Sequence, residues 1–144
     1  MLTRMLTRML TLMLVVAAGL IAGCGTQDGV ALFPVEGELK WNGQPLAGAQ
    51  IVFHPRVAKA KVPPARAQTD ASGKFKLTTF VTHDGAPVGD YSVTVEYFPL
   101  EQQRDEFVAG RNALPAKYAS PATTDLRLHV AEGPNRIGAL EIKR

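Results

Sequence analysis

The chain has 144 residues, 16 Lys and Arg against 13 Asp and Glu, a formal net charge of +3, and 46% hydrophobic residues. That length suits one domain. The charges are nearly balanced and show no clustered basic face of the kind nucleic-acid binding needs, and a single cysteine excludes an internal disulfide.

In chain order, the first element is a leader. Arg4 and Arg8 are the only charges before Asp28, and from Met9 to Gly23 every residue but Thr11 is apolar or Gly. The run is shorter than the roughly 20 apolar residues of a spanning helix. It matches a secretory signal, with a basic start, an apolar centre and small residues before a cut. The repeated "MLTR" offers Met1, Met5 and Met9 as starts, and only Met1 or Met5 keeps an arginine in the leader. Ile21-Ala22-Gly23-Cys24 resembles the lipobox of bacterial lipoproteins. The resemblance implies cleavage between Gly23 and Cys24 and fatty acylation of Cys24. The membrane lipid would then hold the protein through Cys24, since each buried methylene contributes roughly 0.8 kcal/mol. Gly25, not Asp, follows the cysteine, which by resemblance to proteobacterial sorting argues against inner-membrane retention. Removing residues 1–23 leaves 121 residues and 14 Lys and Arg against 13 Asp and Glu, so the net charge falls to +1. Lys59, Lys61 and Arg66 are broken up by Pro63 and Pro64 and read as a solvated loop, not a nucleic-acid surface.

Residues 24–33 read as a lipidated tether and 34–144 as the domain. Val35 to Trp41 alternates strictly, with Val35, Leu39 and Trp41 on one face, as a half-buried strand does. Asn42-Gly43 is a turn signal. Ala49 to His54 is a second strand with Ala49, Ile51 and Phe53 inward. A short strand at Arg66–Thr69 leads to the "TDASGK" turn, where Asp70 can bond nearby backbone N–H groups and Gly73 can take positive φ. Lys74–Thr79 and Tyr91–Tyr97 alternate again. Residues 98–125 read as irregular, punctuated by Pro99, Pro115 and Pro121, with one helical turn at "EQQRDEF". Leu126–Val130 and Arg136–Lys143 are the last strands, with Gly138 marking a bulge. About seven short strands and no long helix predict an all-β, two-sheet antiparallel sandwich.

Three motifs carry a further resemblance. "VEGELKWNGQPLAGAQIVF", "TDASGKFKL" and "APVGDYSVTVEY" resemble the carboxypeptidase regulatory-like domain over residues 35–97. The resemblance implies a seven-stranded, transthyretin-like sandwich with no catalytic role. With "LPAKYASPATTDL" and the short lipidated leader, the chain also resembles small lipoproteins of planctomycete-type bacteria. What those residues do physically is turn and fill, so the resemblance speaks to fold and not to function.

No enzyme pattern survives inspection. His129 and Glu132 have His-x-x-Glu spacing, but a catalytic zinc needs about three protein ligands, and His54 and His83 lie in other segments. The chain lacks the Tyr-Arg-Gly-Ser tail of the transthyretin-like hydrolases. Tyr91 and Tyr97 lie on a core face rather than in the iron spacing of the intradiol dioxygenases. No Gly-x-Ser-x-Gly elbow occurs, and "DASGK" lacks the carboxylates of a calcium loop. The expectation is therefore a protein without cofactor or metal, held in the cell envelope and facing the periplasm or exterior. Two roles remain, a structural or protein-interaction module and a carbohydrate- or small-ligand-binding module. Trp41, Phe107 and Tyr118 are the candidate contacts. Trp41 is in phase with the core; Phe107 and Tyr118 in the long loop are the better candidates for an exposed contact, but the preferred reading of both is a loop clamped onto the sheet.

Overall fold

The computed structural model describes residues 29–57 and 62–144. Gly23, Cys24 and the leader lie outside the described residues, as do Lys59 and Lys61. The described residues are all-β apart from short 3-10 turns. Its strands are β1 (Val35–Trp41), β2 (Gln44–Pro45), β3 (Gln50–Pro55), β4 (Ala65–Gln68) and β5 (Lys74–Lys76), then β6 (Gly89–Glu96), β7 (Leu100–Gln103), β8 (Glu106–Ala109), β9 (Arg127–Val130) and β10 (Asn135–Ile142). All seven segments expected to be strands contain one. The described residues hold ten strands, the additions being β2, β7 and β8.

One sheet joins β10, β1 and β2, with β5 also paired to β1; the other has the order β4-β3-β6-β9. The expected all-antiparallel arrangement is corrected here. β1 and β10 run parallel, from Val35 beside Asn135 to Trp41 beside Ile142. Alternation reports which face a residue takes and not the direction of its neighbour. A parallel pair needs a crossover of a dozen or more residues, and here the rest of the domain supplies it. The register slips between Glu36 and Glu38, where Ile137 and Gly138 face the single Gly37. This is the expected bulge, and it brings Leu140 and Ile142 back to the core face.

The inward residues of both sheets make one core. Leu39, Leu77 and Ile142 from one side meet Ile51, Phe53, Val93 and Val95 from the other, all fully buried. The Phe53 and Phe75 rings lie 6.4 Å apart across the gap. Phe33, assigned above to the tether, is already part of the fold, since its N–H donates to Ala86 O at 2.9 Å and its carbonyl accepts from Ala86 N at 3.0 Å. The turns behave as their residues dictate. Asp70 Oδ1 accepts from Ser72 N at 2.8 Å and Lys74 N at 3.0 Å, and Gly73 takes φ +75°.

Tyr91 shows how burial becomes pH dependence. Its side chain is 3% exposed and its hydroxyl donates to Pro87 O at 2.7 Å. Burial pushes its phenol from 10.0 up to about 12. A raised folded pKa means the neutral phenol is favoured in the native state. Its contribution is therefore complete below pH 10.0 and lost as pH rises towards about 12. Urea midpoints of the native protein are expected to hold below that window and to fall inside it. Tyr91→Phe should lose about 1 kcal/mol at neutral pH and show a shallower alkaline decline. An equal decline in both proteins would assign the alkaline transition to another group.

Candidate functional site

Among the described residues, β7 and β8 pair only with each other, Leu100 opposite Ala109 and Gln102 opposite Phe107. The expected helical turn is corrected to a hairpin. Its two-residue tip is Arg104-Asp105, with Arg104 at φ +57°. The long-range roots explain the difference. Gly110 N donates to Pro99 O and Ala113 N to Tyr97 O, both at 2.8 Å. Asn112 Oδ1 accepts from Tyr97 N at 3.0 Å and Leu114 N at 3.2 Å. Both ends of the segment are thus held together, and a hairpin closes between them.

Residues of a strand alternate between faces, so Leu100, Gln102, Phe107 and Ala109 share one side. Leu100 is 71% exposed and Phe107 69%, with Phe98 in phase just before them at 36%. Val108 alone in the hairpin is half-buried. Neither face is packed on the domain, and a two-stranded hairpin is marginally stable in water on its own. Glu101, Asp105 and Glu106 outnumber Arg104, so the hairpin is acidic.

Trp41 sits at the root of this end. It is half-buried against the core, edge-on to Tyr97 at 6.5 Å, and its buried Nε1 has no hydrogen-bond partner among the described residues. β1 starts just after Phe33 and ends at Trp41, and its 7 residues span roughly 20 Å. The hairpin therefore springs from the end of β1 opposite Phe33.

Phe107 is exposed, against the clamped-loop reading preferred for it, whereas Tyr118 is clamped onto the sheet as that reading has it and fails as a ligand contact. It lies on the 3-10 turn Ala116–Ala119 and is 2% exposed. Its hydroxyl is 3.4 Å from both N and O of Lys143. Thr124 Oγ1 donates to Val93 O at 2.7 Å nearby. The segment after the hairpin is a clamp joining β6 to the end of β10, which is why Tyr118 cannot reach a ligand.

The histidines stay apart. His129 Nδ1 meets Asp90 Oδ1 at 2.8 Å on an exposed edge, and His83 sits in a loop at φ +61°. His54 Nε2 is 3.0 Å from Thr94 Oγ1; burial, and then the Arg66 charge, holds its imidazole below the usual range. Around it, Ser92 and Thr94 are buried on the outer side of β6, with Arg127 Nη1 donating to Ser92 Oγ. β6 is therefore covered on both faces, which its alternation concealed.

A second concavity lies across β4, β5, β1 and β10, with a volume of about 540 Å³. Arg66 and Thr78 form a bridge linking β4 to the chain after β5. Continuing that register sets Gln68 beside Lys76 and Asp70 beside Lys74. Lys76 in turn faces Glu36, and Lys74 faces Glu38. On the far side, Glu36 is paired with Arg136 and Glu38 with Ala139. The bulge thus puts the small Gly138 and Ala139 where a long side chain would complete the lattice, and the surface is hollow there. Neither this groove nor the hairpin follows from the sequence pattern as read strand by strand. The alternation of Phe98 and Leu100 before "QQRDE", and of Phe107 and Ala109 after it, was the available signal for the hairpin.

No family profile matches the chain, and no curated protein matches it. Among solved structures, it is similar to the major pilin subunit of Bacillus cereus, with 15% identity and a TM-score of 0.44 over 78% of this chain and 30% of that one. It is similar to a proposed carbohydrate-binding protein from Pseudomonas aeruginosa, with 14% identity and a TM-score of 0.42 over 83% of this chain and 92% of that one. A lipoxygenase from Cyanothece gives a TM-score of 0.40 at 14% identity over 78% of this chain, which spans 16% of the enzyme. With every TM-score below 0.5, these likenesses carry no functional argument.

Proposed function

We propose that the protein is a lipid-anchored bacterial envelope protein whose non-catalytic sandwich presents the β7–β8 hairpin to a protein partner. Acylated Cys24 is the anchor and the segment from Gly25 to Leu32 the tether. The sandwich is of the transthyretin-like, carboxypeptidase regulatory-like type; the seven strands left when β2, β7 and β8 are set aside support that assignment. The observation that carries the interaction role is the hairpin itself, with Leu100 and Phe107 both exposed on one face and rooted at the end away from the tether. The partner's chemistry follows from the hairpin's. It offers an apolar surface for Leu100 and Phe107, flanked by basic groups for Glu101, Asp105 and Glu106.

Two experiments test the two halves. Cys24→Ser should move the protein from the membrane to the soluble fraction of its native cell; a variant that stays as firmly bound would refute the anchor. A photo-crosslinker at Gln102 should capture one discrete envelope protein, and the adduct should vanish with Phe107→Ser. The same adducts from a crosslinker at Gln50, on the outer face of β3, would refute the hairpin as the docking element.

A further inference from the structure

We propose that the groove across β4, β5, β1 and β10 binds an anionic carbohydrate chain, a polyhydroxylated polymer bearing carboxylate or sulfate groups. The inference starts from charges that do not pair. Lys76 is directly opposite Glu36, and Lys74 directly opposite Glu38. Opposite charges so placed attract each other across a sheet. Yet each glutamate turns elsewhere, Glu36 Oε1 to Arg136 Nε at 3.2 Å and Glu38 Oε1 to Lys40 Nζ at 3.8 Å. Lys74 and Lys76 form no ion pair among the described residues. Two ammonium groups, two residues apart on β5, therefore face the groove without an ion-pair partner, although the Asp70 carboxylate also lines it.

The same glutamates decide what kind of anion fits. A small, compact anion in the groove would lie against Glu36 and Glu38 and be repelled. A hydroxylated chain avoids this. Its hydroxyls donate to the carboxylates of Glu36 and Glu38 and to the amide oxygen of Gln68, while its acidic groups reach Lys74 and Lys76. Those two residues are roughly 7 Å apart along the strand, so an acidic group on successive parts of a polymer meets each in turn. Gly138 and Ala139 leave the floor open to the chain, and the volume of about 540 Å³ is in the range of ligand sites. The groove has no exposed Phe, Tyr or Trp, since Phe75 beneath it is 3% exposed and the only other ring in its lining is the His83 imidazole. Binding therefore rests on charge and hydrogen bonds, and salt should weaken it.

The test is affinity electrophoresis of the purified lipidated protein in neutral detergent, through gels containing alginate, dextran sulfate or neutral dextran. Retardation by an acidic polymer and none by dextran is expected. Alginate acting more strongly assigns carboxylate as the recognised group, and dextran sulfate acting more strongly assigns sulfate. Lys74→Gln with Lys76→Gln should weaken the retardation about tenfold or more. Lys117→Gln with Lys143→Gln, which removes the same charge elsewhere, should leave it within about twofold. Equal loss in both pairs would reduce the effect to net charge and overturn the proposal, as would retardation by dextran or by no polymer. The site is independent of the hairpin and the anchor, so Phe107→Ser should bind the polymer unchanged.

Discussion

Gly85→Ala is expected to destabilise the protein by about 3 kcal/mol or more, lowering its melting temperature by roughly 10 °C. Gly85 has φ +91°, and a Cβ built on it would lie 1.8 Å from Phe33 O and 2.4 Å from Phe33 C. Those are backbone atoms and cannot swing aside. Phe33 is held there by its two bonds with Ala86, and Gly85 N itself donates to Leu77 O at 3.1 Å. Asp84 fixes the turn from the other side, accepting from Thr79, Phe80 and Val81 N. An added methyl must therefore break the seam that joins the start of the domain to β5. Gly133 provides the control, because its φ is +89° but nothing lies within 4 Å of its Cβ position. Gly133→Ala should cost only the backbone preference, about 1–2 kcal/mol. Thermal melting of the two variants checks this, and equal losses would show that the contact with Phe33 is not what constrains Gly85.

Tyr118→Ala is the second large effect, with an expected loss of about 3–5 kcal/mol. The ring is 2% exposed, and its removal opens a cavity beneath the clamp. It also frees the end of β10, which the hydroxyl holds through Lys143. Lys117 Nζ, 4.6 Å from the ring centroid, loses its contact as well. Phe107→Ala should in contrast stay within about 0.5 kcal/mol of the native protein, since its ring packs on nothing in the domain. Urea unfolding of the pair tells structure from function. If Phe107→Ala were as damaging as Tyr118→Ala, the hairpin would belong to the core and its docking role would fail. The two aromatics stood side by side as candidate contacts in the sequence; their stabilities should now part.

Much of the fold was legible because it is written in short-range pattern. The alternation of Val35 to Trp41 and of Tyr91 to Tyr97 marks strands whose inward faces are the observed core. Asp70 and Gly73 announce a turn that their own side chain and backbone freedom create. Even the bulge at Gly138 showed as a break in phase. The site was less legible. Tyr118 and Phe107 occupy one irregular segment and have similar character, yet one seals the sandwich and the other stands in solvent. Ser92 and Thr94 look like outward polar residues and are buried, because His54 and Arg127 cover them from neighbouring strands.

The sequence by itself determined seven of the ten strands, the turns at Asn42-Gly43 and Asp70–Gly73, and the inward face of the clearest strands, because those depend on residues one to four positions apart. It also carries the leader-like pattern ending at Cys24 on which the proposed anchor rests, a pattern that is read without any fold. Only the tertiary structure decided that β10 lies parallel to β1, that residues 100–109 stand away from the domain as a hairpin, and that Lys74 and Lys76 are left unpaired beside a hollow. Each of these depends on which distant strand becomes a neighbour. Pairing partners are chosen by the packing of the whole core, and local alternation reads the same whichever partner is chosen.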